Sequence, residues 1–68
     1  MDKQKVDQFV ETIRRIDNIP DRYSRADELS IFVRNAREFP QEVLEAAEIV
    51  GGNVGAYVRK EIMRPRFD

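Results

Sequence analysis

Apolar residues return at Val6, Phe9, Val10, Ile13 and Ile16, the i, i+3, i+4, i+7 spacing of a single helical stripe. Lys3, Lys5, Asp7, Glu11, Arg14 and Arg15 fill the remaining surface, and Glu11 precedes Arg15 by four in the favourable order for a helical ion pair. The spacing predicts a helix over 3–17. Asp17-Asn18-Ile19-Pro20-Asp21 then reads as a loop, because Asx residues and proline favour turns and Pro20 discourages helix at Ile19.

A second helix is expected from about 25 to 38. Ser24 is its expected cap, with Asp27 in capping-box position and Tyr23 ahead of it to pack back over the first turn. Ala26, Leu29, Phe32, Val33 and Ala36 share a face. Ile31 points nearly opposite at 100° per residue. Either this helix is the central member of a bundle and buried on two sides, or Ile31 belongs to a contact surface.

The stretch Phe39 to Met63 reads as two short helices, 41–50 and 54–64, joined at Gly51-Gly52-Asn53. Pro40 suits a first helical turn, and Phe39 just before it is placed to staple the entry. One of Gly51 and Gly52 is expected at positive φ, and Asn53 is expected to cap the last helix. Val43, Ala46, Ala47 and Val50 form the first stripe, with Leu44 at its edge and Ile49 on an acidic flank with Glu42, Glu45 and Glu48. The two alanines allow a neighbouring helix to come close. Val54, Tyr57, Val58 and Ile62 form the second stripe, and Pro65 stops the chain's last helix. The expectation is an all-α, single-domain bundle over 1–68 that ends in a helix–turn–helix unit, with core at Phe9, Ile13, Leu29, Phe32, Val43, Val50 and Val58.

Composition narrows the function. With no cysteine there is no disulfide framework, and with no histidine the commonest metal ligand and general base are missing. Surface carboxylates and hydroxyls without a base to activate them suggest no enzyme, no catalytic residue, no cofactor and no metal. Gly51-Gly52-Asn53-Val54-Gly55 follows a helix and lacks the lysine of a phosphate loop. No apolar run approaches a membrane span and the first residues lack a signal-peptide core, so a cytoplasmic protein is expected.

Charges nearly cancel overall, 12 basic against 13 acidic, but not along the chain. Residues 39–52 carry three acids and no base, whereas 53–68 carry four bases and two acids. Ala46-Ala47, Gly51, Tyr57 and Arg59-Lys60 resemble the spacing of the DNA-binding helix-turn-helix of Fis-type bacterial regulators, over less than a third of the chain. That resemblance implies base-edge contacts from the start of the last helix, where this chain has Asn53, Val54, Gly55 and Ala56.

Two functions follow as expectations. The first is a non-enzymatic protein-interaction or regulatory module, contacting another protein or a second copy of itself through the off-stripe residues Ile31, Ile49, Met63 and Phe67. The alternative is nucleic-acid binding through Asn53, Arg59, Lys60, Arg64 and Arg66.

Overall fold

In a computed structural model, which describes residues 1–65, the chain forms four helices. They are α1 (Lys3–Asp17), α2 (Arg22–Ala36), α3 (Pro40–Val50) and α4 (Gly52–Met63), an all-α bundle with no strand among the described residues. Each start has a local cause. The Asp2 carboxylate accepts from the N–H groups of Gln4 and Lys5 and so caps α1. Asn18 closes the other end, its backbone and side-chain N–H groups both donating to the Arg14 carbonyl.

Asp21, not Ser24, caps α2. Its backbone is extended after Pro20, and its Oδ2 accepts from Ser24 N–H at 2.8 Å. Ser24 is therefore the third residue of the helix, which starts three positions earlier than its sequence suggests. Asp27 plays no part in the cap, and Tyr23 is exposed rather than folded back. Phe39 N–H donates to Ala36 carbonyl in the closing turn, so α2 ends two residues before Glu38. Phe39 itself stands at the cap position of α3, one residue too late to staple that helix. It packs across onto Phe9 of α1 instead, ring centroids 6.2 Å apart.

The core joins all four elements. Val6, Ile13 and Ile16 come from α1, Leu29, Phe32, Val33 and Ala36 from α2, Val43, Ala46 and Ala47 from α3, and Val54 and Val58 from α4. Phe9, Val10, Ile19, Val50 and Ile62 pack against it half-buried. Five of the seven expected core residues are thus buried, while Phe9 and Val50 line its edge. Ala26 is exposed because α2 packs through its second half only, from Leu29 onward. Tyr57 is 39% exposed, since one residue before Val58 it has turned about 100° off the core.

α3, the shortest helix, is the central member, packed most extensively against α4 and α1. α2 lies more lightly on α1 and α4. The whole is a slab of 32 × 31 × 18 Å, too thin for a third layer of helices about 10 Å across. Every helix therefore keeps one wet face, and Ile31 on α2 is 44% exposed rather than buried on a second side.

The α3–α4 junction depends on three glycines. Gly51 (φ 66°, ψ −157°) closes α3 and opens α4 at once, its N–H bonded to Ala47 carbonyl and its own carbonyl to Gly55 N–H. Gly52 follows at φ 64°, so both glycines, not one, are at positive φ. Asn53 lies inside the first turn of α4 and makes no capping bond. Gly51→Val and Gly52→Val should each destabilise by about 1–3 kcal/mol, with Gly51 the worse because its φ/ψ is nearly reserved for glycine. A Cβ at Gly51 meets nothing closer than 3.9 Å, and one at Gly52 nothing within 4 Å, so the loss is conformational. Thermal melting reads it directly, and wild-type midpoints for both variants would refute the backbone argument.

Candidate functional site

A partly apolar groove lies between the first turns of α1 and the outer side of α3. Met1, Lys3, Val6, Asp7, Glu45 and Ile49 line about 270 Å³. That is below the roughly 300–1,000 Å³ of small-molecule pockets but suits an inserted side chain. Ile49 reaches it for a helical reason. Glu42, Glu45 and Ile49 are spaced three and four apart, so they lie along one face of α3, turned about 120° from the Val43–Ala46–Ala47 stripe.

The groove's α1 wall is held in place at its N-terminal end. Asp2 N–H donates to Glu42 Oε2 at 2.9 Å, tying the cap of α1 to the first turn of α3. That hydrogen bond holds the Glu42 carboxyl below its ordinary range. The Asp21 carboxyl is likewise lowered, chiefly by the backbone N–H of Ser24. Neither group is buried, so these bonds define geometry more than they add stability.

Beside the groove, Phe9 meets Phe32 edge-on at 5.5 Å, and Lys5 Nζ stands 4.6 Å from the Phe39 ring centroid. This aromatic step is not visible in the stripe pattern, because Phe39 lies in a loop. Its only sequence signal is that Phe39 lies next to Pro40.

Of the expected contact residues, Ile49 is 50% and Met63 61% exposed. Ile31, Ile49 and Met63 sit on α2, α3 and α4, and the groove includes Ile49 alone of the three. Phe67 and Arg66 lie outside the described residues. Arg59 and Lys60 are exposed on α4, while Arg64 at its end pairs with Glu61 at 3.5 Å, the one ion pair within 4 Å among the described residues. Glu11 and Arg15, expected as a pair, are not joined.

Asn53 borders a separate cleft with Asp17, Arg25, Leu29, Val54 and Tyr57. Arg25 is partly engaged there already, donating to the Ile19 carbonyl at 3.0 Å. Gly51 alone separates α3 from α4, whereas DNA-binding helix-turn-helix units use a turn of about 3–4 residues. Val54 and Gly55 are buried, Gly55 against Ala47 of α3, which leaves Asn53 and Ala56 as the exposed residues among the four that would meet bases. No helix among the described residues is long and apolar enough to cross a membrane.

Comparison with family models, with curated proteins and with solved structures finds no match for this chain.

Proposed function

We propose that the chain is a protein-interaction module that works by apolar contact and carries out no chemistry of its own. The observation behind this reading is Ile49, half-exposed in a shallow groove with Met1 and Val6 rather than isolated on a flat surface. Ile31 and Met63 are further exposed apolar side chains, on α2 and α4, outside the groove. Charged residues surround each of them, as in a rim around a contact centre.

Ile31→Asp and Ile49→Asp test it. Both sites face water, so the carboxylate stays hydrated in the free chain. In a complex it would be buried without a partner, which is strongly unfavourable. The variants should keep the wild-type circular dichroism spectrum and lose the proteins that a tagged wild-type chain captures. The nucleic-acid alternative makes the opposite prediction. It requires retention on duplex DNA that falls steeply with salt, survives both isoleucine changes and disappears when Arg59, Lys60, Arg64 and Arg66 become glutamate. That pattern would overturn the apolar-contact reading.

A further inference from the structure

The outer faces of α3 and α4 are opposite in charge, and each carries an exposed apolar side chain in its last turn, Ile49 on α3 and Met63 on α4. On α3, Glu42 and Glu45 precede Ile49 by two turns and one turn, with Glu48 beside it. Lys3 and Asp7, which share the groove, cancel each other. The three glutamates therefore set the sign of that face. On α4, Ala56, Arg59, Lys60 and Met63 are spaced three, four and seven apart and all are exposed. Glu61, the one acid of α4, is half-buried and turned toward Arg64.

We propose that the partner is a second copy of this chain, the α4 outer face of one molecule docking on the α3 outer face of another. This rests on the apolar-contact reading and names its occupant. Met63 enters the groove beside Ile49, and Arg59 and Lys60 meet Glu45 and Glu48. An unbranched, adaptable methionine suits a shallow, irregular groove better than a branched side chain does. Each chain carries both halves of the contact, so the copies close into a pair or ring, or extend head to tail, according to the angle between the faces. A chain of 68 residues with no cysteine also has reason to bury more apolar surface through self-association.

The test is charge exchange, read as molar mass by light scattering over micromolar to millimolar concentrations. Wild type should gain mass with concentration. Glu45→Lys with Glu48→Lys in one chain, and Arg59→Glu with Lys60→Glu in another, should each weaken association at least about tenfold, since like charges then face each other. An equimolar mixture of the two variants should recover it, and so should one chain carrying all four changes. All four positions are exposed, so folding is checked by circular dichroism. Should a reversal unfold the chain, the neutral glutamine versions replace it, with a smaller loss expected. A wild type that stays monomeric, or a mixture that fails to recover association, overturns the second-copy proposal and leaves the apolar-contact reading to the capture experiment. Association that survives Ile49→Asp overturns the apolar reading itself.

Discussion

Phe32→Ala should leave most molecules unfolded at room temperature. Phe32 is 9% exposed and lies between α2 and α1, its ring edge-on to Phe9 at 5.5 Å. Removing a buried phenyl ring costs about 3–5 kcal/mol, as lost transfer energy plus the cavity left behind. The slab makes the upper part of that range more apt, because α2 has little other packing to fall back on. A domain this small has on the order of 5 kcal/mol in total. Circular dichroism at 222 nm and urea titration measure the result. Phe39→Ala is the control, since its ring is 37% exposed and should cost far less. A Phe32→Ala chain that melts cooperatively near the wild-type midpoint would place the ring outside the load of the core.

Gly55→Val should be comparably damaging, although Gly55 lies within a helix where other residues usually stabilise. Gly55 is buried at the α3–α4 contact, and a Cβ built there would stand 2.5 Å from the Ala47 carbonyl oxygen. Ordinary contact begins near 3.4 Å. The obstructing atom is helix backbone, which cannot swing aside as a side chain would, so α4 must withdraw from α3 along its length. That movement loosens Val43, Ala46, Ala47, Val54 and Val58 together. We expect a loss of about 3 kcal/mol or more, at or above the usual range for overpacking. Gly55→Ala sets the clash against a gain in helix propensity of about 1 kcal/mol and should still be net destabilising. An alanine variant more stable than wild type would show that the two helices can part at little cost.

The helical stripes, four elements and the all-α class follow from local rules that act within a few residues. Apolar spacing is set by the 3.6-residue turn, and Pro40, Gly51 and Gly52 act through their own φ preferences. The boundaries of α1 and α3 were accordingly accessible to within one residue. The cap of α2 was not, because Ser24 and Asp21 are both good caps and only the backbone after Pro20 selects between them. The off-stripe positions of Ile31, Ile49 and Met63 were equally readable, and their exposure agrees with that pattern.

What the stripes could not determine is which helices meet. Ala46-Ala47 signals a close neighbour, but that Gly55 supplies it depends on the register of α4 against α3. Which helix is central depends on the same packing, and α3 takes that place by packing on both α1 and α4, with Ala47 against Gly55 on the α4 side. The groove beside Ile49 exists because α1 packs against α3, which also brings Asp2 and Glu42, 40 residues apart, into hydrogen-bond contact. Periodicity along one helix says which way a side chain points. What stands opposite it is decided by contacts between residues distant in the chain, and those exist only once the helices have packed.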